Sequence, residues 1–314
     1  MRRAIIPDMA SARFDVVGLG ANSVDYVGVL PGFPRPGEPL SKMRLRAHIV
    51  GCGGQMATAL ATCARFGLRA AYIGATGNDA NGQLVRDTLA RLDLDTSHVA
   101  VHDGANQFAF VLIDEQTGER VIFWDRDERL NLAETELPAD IVRACRLLHV
   151  DDVDERAAIA AATIARARGI PVTSDIDRVT ARTLDLVDGV TVAIFAEHVP
   201  LELARRAEAA VSDAAEALHV LPRRSEQVLC VTLGSRGSAG LDNEGLHRHE
   251  GFRVAARDTT GAGDVFRGAF IYARLRGLSL DEQLRFANAA AAVSCTRLGA
   301  LGSIPSLEEI EALL

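Results

Sequence analysis

Residues 258–270 read Asp258-Thr259-Thr260-Gly261-Ala262-Gly263-Asp264-Val265-Phe266-Arg267-Gly268-Ala269-Phe270. Apolar residues recur at helical spacing after Asp264, so the sequence predicts that the two glycines lie at the N-terminus of a helix. At such a terminus the free backbone N–H groups and the positive end of the helix dipole favour bound anions. Glycine also lets a ligand approach the backbone, because it has no Cβ. The segment therefore predicts an anion site with an acidic side chain in its first turn.

A carboxylate and an anion site side by side supply the two functions that phosphoryl transfer to a hydroxyl requires, a proton acceptor and donors to the moving phosphoryl group. Asp264 is the candidate base that takes the alcohol proton. The candidate donors to the moving phosphoryl group are the backbone N–H groups of Gly261, Ala262 and Gly263. A glycine-rich turn with an acid also occurs as a simple helix cap, so that alternative stays open for these residues alone.

The composition limits the classes of protein to be considered. The chain has 314 residues, and its 48% hydrophobic content is ample for one large α/β domain or two. The formal net charge of −8 argues against nonspecific binding of nucleic acid, which needs a basic surface. An anionic substrate must then be met by local positive groups or by a metal ion.

The distribution of particular residue types excludes further mechanisms. Five scattered cysteines without a C-x-x-C pair indicate reduced thiols. The sequence shows neither a long apolar run nor a signal-peptide pattern, so a cytoplasmic protein is expected. Lys42 is the only lysine, which excludes a G-x-x-x-x-G-K-[ST] phosphate loop and a protein-kinase strand lysine. The near-fingerprint from Gly18 to Ser23 lacks its third glycine and precedes an extended segment, which argues against a Rossmann dehydrogenase.

Short apolar segments alternate with segments rich in Ala, Arg and Glu. The predicted strands of this series are Phe14–Leu19, Ala70–Gly74, Leu147–Val150, Ile170–Ser174, Val190–Phe195 and Val228–Leu233. The alternation predicts an α/β fold with a doubly wound, mostly parallel sheet and helices on both faces. The segments 43–50, 107–113 and 120–124 do not fit this alternation, and they are predicted to form a small second sheet.

The string D-T-T-G-A-G-D followed by F-x-G-A-F resembles the second signature of the PfkB (ribokinase-like) carbohydrate kinases. Gly53-Gly54-Gln55-Met56-Ala57-Thr58 resembles the first signature, and the resemblance runs in order from about Phe14 to Pro305. It implies that Asp264 is the catalytic base and that a β-sheet lid closes over a sugar. The domain plan that follows is a kinase domain over 13–305, lid segments over 26–50 and 104–126, a flexible leader over 1–12 and a C-terminal helix over 306–314.

The resemblance also implies where the sugar binds. The sugar-side residues are Asp25, Gly53, Gly54, Thr58 and Asp151. Asp151 resembles an acid of the ketohexokinase-like branch, whereas Gln55 and Thr58 stand where ribokinase has lysine and asparagine. These differences favour a ketose or a modified hexose over ribose. From the residues alone, Asp25 also fits a turn-stabilising role, and the two glycines also fit a plain helix cap.

The nucleotide and the cations are assigned by the same resemblance. Residues similar to those near the nucleotide are Thr232, Gly234, Arg236, Gly237 and Asn288, of which the last would approach the adenine of ATP. A monovalent cation such as K⁺ would lie near Asp258, Thr260, Gly299 and Ser303. Mg²⁺ is expected because ATP phosphates need neutralising, although the N-x-x-E motif of many members is absent and Glu197 stands in that region.

The sequence therefore predicts an ATP-dependent sugar kinase. One alternative is a nucleoside kinase of the same fold, for which Phe123 and Trp124 are the candidate aromatic slot. Another is a non-catalytic ligand-binding protein built on the kinase fold. Arg120 and Arg126 are lid arginines that either face an acidic sugar or are simply solvated on the lid. A homodimer through the edge of the lid is a further expectation.

Overall fold

A computed structural model describes residues 12–34 and 42–314, and it contains two β-sheets. All but the last residue of the predicted leader, 1–12, lies outside these ranges. The strands are β1 (Phe14–Leu19), β2 (Ser23–Leu30), β3 (Ala47–Gly53), β4 (Ala70–Gly77), β5 (Leu94–His102), β6 (Phe108–Asp114), β7 (Arg120–Asp125), β8 (Cys145–Asp151), β9 (Val172–Ile176), β10 (Val192–Ala196), β11 (Val228–Thr232), β12 (Ser238–Leu241) and β13 (Leu246–His249). The α-helices are α1 (Gln55–Arg65), α2 (Ala80–Leu89), α3 (Ala139–Val142), α4 (Glu155–Arg166), α5 (Thr183–Gly189), α6 (His198–Arg206), α7 (Ala214–Ala217), α8 (Ala262–Leu275), α9 (Leu280–Ser294) and α10 (Leu307–Glu311).

The large sheet has the strand order β13-β12-β11-β10-β9-β8-β1-β4-β5. Its strands pair in parallel from β11 to β5, and β12 and β13 add an antiparallel hairpin at one edge. The chain moves outward from β1 to β5 on one side and from β8 to β11 on the other. The carboxyl ends of β1 and β8 therefore form a topological switch point, where open α/β sheets bind ligands.

The small sheet has the order β3-β2-β6-β7 and corresponds to the predicted lid. Strands β2 and β6 pair in parallel at the centre. Strand β3 pairs antiparallel with β2 at one edge, and β7 pairs antiparallel with β6 at the other. The predicted lid is thus confirmed as a separate sheet. The predicted start of β3 at residue 43 was too early, because the strand begins at Ala47.

Strand β5 was not predicted from the sequence. Its first half contains Asp95, Thr96 and Ser97, which interrupt the apolar pattern that marks the other strands. Such polar residues are tolerated because β5 is the edge strand of the large sheet and is only partly buried.

The core occupies both faces of the large sheet, and α4 and α5 cover one of them. Helices α1, α8 and α9 cover the other, and α1 and α8 pack closely where Gly268 meets the backbone carbonyl of Ala59. A Cβ at residue 268 would lie 2.6 Å from that oxygen, so glycine is what permits the approach. None of the helices in the described ranges combines the length and the apolar character needed to span a bilayer.

Candidate active site

The N-terminus of α8 is fixed by a glycine in the left-handed conformation. Gly261 caps the helix with φ 75°, and a Cβ there would lie 2.7 Å from the Cβ of Ala300. Both the dihedral angle and the close contact require glycine. Asp264 lies in the first turn, as the sequence predicted, so the carboxylate lies at the N-terminal end of the helix.

Charged side chains surround the Asp264 carboxyl. Burial raises its pKa well above the usual range, and the negative charges of Asp175, Asp25 and Asp177 act in the same direction. The positive charge of Arg267 opposes them. A carboxyl whose pKa is raised in this way holds a proton readily, which suits a group that accepts a proton from an alcohol.

Asp25 lies at the start of the lid, on β2, and is almost completely buried. The hydroxyl of Ser23 donates a hydrogen bond of 2.9 Å to its Oδ1. A Cβ on Gly53 would lie 2.0 Å from its Oδ2, so β3 passes over the carboxyl only because residue 53 is glycine. Burial raises the pKa of Asp25 to about 6, and the charge of Asp258 adds to the rise.

Gly54 and Thr58 lie at the start of α1, beside this carboxyl. Gly54 caps the helix with φ 95°, and a Cβ there would lie 2.6 Å from the backbone of Asn22. Thr58 is fully buried, and its Oγ1 has no hydrogen-bond partner among the described residues. Its methyl group lies 3.6 Å from where a Cβ of Gly261 would be, so the two family-like segments meet at this point.

Asp151 is placed differently from the sequence interpretation. It is fully buried at the end of β8, and its two oxygens accept hydrogen bonds from the N–H groups of Ala21 (2.7 Å) and Val153 (3.0 Å). A Cβ on Gly20 would lie 2.0 Å from its Oδ2. Asp151 thus joins the carboxyl ends of β1 and β8, and this geometry does not support a direct contact with a sugar.

The two lid arginines have different surroundings. Arg126 forms an ion pair of 3.0 Å with Asp154, and both side chains are buried. The charge of Arg126 is therefore already paired with an acid of the protein. Arg120, by contrast, lines a cavity that borders the first turn of α8.

That cavity has a volume of about 680 Å³ and extends to the first turn of α8, where Ala262 and Gly263 line it. The predicted nucleotide residues in its lining are Thr232, Gly234, Gly237 and Asn288. The volume falls in the range of ordinary ligand sites. Arg236 does not line the cavity but pairs with Glu197. Glu197 is the acid that the sequence offered in the region of the magnesium motif, so this acid already has a partner.

The four residues predicted for a monovalent cation lie on two adjoining loops. Asp258 connects the loops, since its carboxylate accepts hydrogen bonds of 2.8 Å from the N–H groups of Thr260 and Gly299. The Thr260 hydroxyl is buried without a partner among the described residues, and the Ser303 hydroxyl donates to the Ala300 carbonyl at 2.8 Å. The described residues contain no group of three or more His, Cys, Asp or Glu side chains arranged for a metal ion.

Three charged residues of the site were missed by the sequence interpretation. Asp175 and Asp177 come at the carboxyl end of β9, one and three residues after the predicted end of that strand. Their position directly after an apolar strand was the available signal. Arg267 lies inside the quoted glycine-rich segment, but its apolar neighbours predict a packing surface and give no sign of a charged partner.

Known proteins resemble the chain over most of its length. The profile of the pfkB family carbohydrate kinases matches residues 15–307. The ribokinase of Haemophilus influenzae is 30% identical over 300 residues, which cover 93% of this chain and 95% of the relative. A nucleoside kinase of Methanothermobacter thermautotrophicus is 27% identical over 302 residues, with 94% of each chain covered. The solved structure of a ribokinase from Thermotoga maritima has a TM-score of 0.79 at 23% identity. The match covers 96% of this chain and 99% of that chain.

The raised pKa of Asp25 predicts a pH-dependent cost of keeping this carboxyl in the fold. Its pKa is about 6 in the folded protein against an ordinary 3.8, so its stabilising contribution is present below pH 4 and lost as the pH rises through 6. We expect the free energy of unfolding of Asp25→Asn, relative to wild type, to rise by about 2 kcal/mol between pH 4 and pH 7. Chemical denaturation at the two pH values measures this difference. Asp140→Asn, at an exposed carboxylate, is the control, and a difference for Asp25→Asn that does not change with pH would contradict the assignment.

Proposed function

Because the chain belongs to the pfkB family of carbohydrate kinases, whose members phosphorylate sugar hydroxyls, we propose that it transfers the γ-phosphoryl group of ATP to a sugar hydroxyl with Asp264 as the base. The observation that carries the proposal is the first turn of α8. Ala262 and Gly263 of this turn line the end of the 680 Å³ cavity, and the Asp264 carboxyl lies in the same turn. Anion donors and a proton acceptor thus meet where a nucleotide and an alcohol would meet.

Each part of this turn has a role in the transfer. Asp264 accepts the proton of the attacking hydroxyl, and the N–H groups of Gly261, Ala262 and Gly263 stabilise charge on the transferred group. Mg²⁺ arrives with the nucleotide and neutralises its phosphates when bound. Phosphate oxygens are themselves ligands that Mg²⁺ prefers, together with water.

The sugar would lie between the first turn of α8 and the lid. Asp25 and the glycines at 53 and 54 border this position, and a carboxylate accepts hydrogen bonds from neighbouring sugar hydroxyls. Thr58 supports the site from inside, since its side chain is fully buried. Glutamine at 55, where ribokinase has lysine, favours a ketose or a modified hexose as the acceptor.

A nucleoside acceptor is the second candidate function. The resemblance to a nucleoside kinase over 94% of the chain favours it. The lid also presents Phe110, Phe123 and Trp124 with exposed rings, and exposed aromatic rings suit a nucleobase. Nucleosides therefore belong in the same substrate panel as sugars.

We expect Asp264→Asn to lower kcat by about 10² to 10⁴-fold, because the amide keeps the shape of the side chain but cannot accept the proton. The measurement is ADP release with MgATP across a panel of ribose, fructose, tagatose, 2-keto-3-deoxygluconate, fructose phosphates and nucleosides. Asp185→Asn, at an exposed acid in the first turn of α5, is the matched control and should keep wild-type turnover. Equal turnover of wild type and Asp264→Asn would exclude Asp264 as the base.

We propose a K⁺ site beside the anion donors. The unpartnered Thr260 hydroxyl and the Asp258 carboxylate supply hard oxygens, and each carboxylate oxygen keeps a free lone pair after accepting one N–H group. The two oxygens lie on the loop that leads directly into α8, so a bound cation would order the anion donors.

At constant ionic strength, we expect K⁺ to raise kcat severalfold over tetramethylammonium in wild type. Thr260→Val should abolish this activation, whereas Thr260→Ser, which keeps the hydroxyl, should retain it. The same ADP assay measures all three proteins. Activation that survives in Thr260→Val would place the cation elsewhere.

We further propose that the lid is covered by a second copy of the chain. Strand β7 is the outer strand of the lid and is exposed along its whole length. The large apolar side chains exposed on the lid are Val50, Phe110, Val121, Ile122, Phe123 and Trp124. Contiguous apolar surface on an edge strand is rare in monomers and typical of an interface.

We expect wild type to sediment as a dimer at micromolar concentration and Phe123→Asp to sediment as a monomer. The charge would be buried at the interface of the dimer, where it has no partner. Val101→Asp is the control, since Val101 is equally exposed but lies on the edge strand of the large sheet. A monomeric wild type, or a dimer unaffected by Phe123→Asp, would overturn the proposed interface.

A further inference from the structure

Arg267 and Asp175 form a buried ion pair behind the first turn of α8. The Arg267 Nη2 lies 2.6 Å from the Asp175 Oδ1, and the two side chains are only 4% and 2% exposed. Arg267 is on α8, one helical turn after Asp264, and Asp175 is on β9 of the large sheet. The pair therefore connects the helix that carries the proposed base to the sheet. Removing one member would leave an uncompensated charge in the interior, which is strongly unfavourable.

The guanidinium also fills the space beside one of the proposed anion donors. A Cβ on Gly263 would lie 2.8 Å from the Arg267 Nη1, so the guanidinium would have to shift. Glycine at 263 thus leaves room for the arginine as well as for a ligand. The Arg267 guanidinium thus occupies the space beside Gly263 and pairs with the carboxylate of Asp175.

The groups that face Asp264 from the surrounding elements are mostly acidic. Asp25 from β2, Asp175 at the end of β9 and Asp177 just beyond it all favour its protonated form, and Arg267 favours its ionised form.

A second ring of groups faces Asp175 and Arg267. Asp177 and Asp152 act on Asp175, whose pKa burial raises to about 6 against the opposing charge of Arg267. His149 on β8 does not add a positive charge, because burial and then the Arg267 charge lower its pKa to about 3. Among the residues that the structure describes, Arg267 is therefore the positive group that acts on Asp264.

We propose that Arg267 is a positioning residue for the transfer: paired with Asp175, it holds the first turn of α8 against β9 and compensates the surrounding negative charge so that Asp264 is ionised when the hydroxyl arrives. The proposal rests on the proposed role of Asp264 as the base. It assigns to Arg267 no contact with the sugar or the nucleotide.

The two members of the pair should change the site in opposite directions. Loss of the Arg267 charge leaves the acidic groups uncompensated, so Asp264 should keep its proton to higher pH. Loss of the Asp175 charge removes a negative neighbour and leaves Arg267 free to act on Asp264, so Asp264 should lose its proton at lower pH. A role restricted to packing would not produce opposite signs.

The experiment follows the Asp264 carboxyl directly by NMR of protein labelled with ¹³C at the aspartate carboxyls, the Asp264 signal being the one missing in Asp264→Asn. We expect its titration midpoint to rise by about one unit or more in Arg267→Gln and to fall in Asp175→Asn. It should stay near the wild-type value in Arg267→Lys, which keeps the charge, and should return toward it in the double variant Arg267→Gln/Asp175→Asn. The acid limb of kcat/KM against pH should move with the midpoint in each variant.

Midpoints that are unchanged, or that move the same way in Arg267→Gln and Asp175→Asn, would overturn the proposal. If Arg267→Gln does not fold, Asp175→Asn and the double variant decide, since the former must shift the midpoint downward and the latter must reverse that shift. The NMR titration needs no turnover. A wild type that phosphorylates nothing but shows the expected midpoints would refute the proposed function and leave the charge compensation by Arg267 standing.

Discussion

The site depends on the fitting of charged side chains into space that glycine leaves on the backbone. At Gly20 and Gly53 a Cβ would lie 2.0 Å from a carboxylate oxygen, that of Asp151 or that of Asp25. At Gly263 the same space is taken by the guanidinium of Arg267. In each case the missing side chain lets two segments close around a charge and exclude water. Where water is excluded, charges act strongly on one another.

This arrangement explains why so many carboxylates are close together at one edge of the sheet. The switch point brings the ends of β1 and β8 together, and Asp151 stabilises that junction by accepting the N–H groups of Ala21 and Val153. Asp25 and Asp264 are then presented on either side, from the lid and from α8. The cost is electrostatic, since burial raises the pKa of both carboxyls. A fold optimised for stability alone would not keep them, and strain of this kind is typical of functional sites.

The sequence was informative where the signal was local. The helix start at Gly261 and the first-turn position of Asp264 depend on neighbouring residues, and both were predicted. The surroundings of Asp151 and Arg126 depend on partners far away in the chain, Ala21 for the former and Asp154 for the latter. Nothing local to these two residues shows that their polar atoms are already engaged.

The same limit applies to the charges around the proposed base. Asp175 follows an apolar strand, and this alone does not reveal that it faces an arginine on α8, 92 residues later in the sequence. Helix periodicity places Arg267 on the face that also carries Phe270 and Ile271, where an apolar residue is the ordinary expectation. An arginine at such a position is informative because it requires a buried acid as partner, although the sequence does not say which one.

The acidic site also determines how a nucleotide can approach. ATP carries negative charge, the chain has a net charge of −8, and several carboxylates surround Asp264. The 680 Å³ cavity reaches the first turn of α8 at Ala262 and Gly263, whereas Asp25, Asp175 and Asp264 are not among the residues that line it. In the proposed function, the positive end of the helix dipole would lie between the phosphates and the acids, and Arg267 would compensate the acids from its pairing with Asp175. One helical turn thus serves two opposite electrostatic requirements, attraction of an anion in front and ionisation of a carboxylate behind, and this is why its glycines and its arginine have to be considered together.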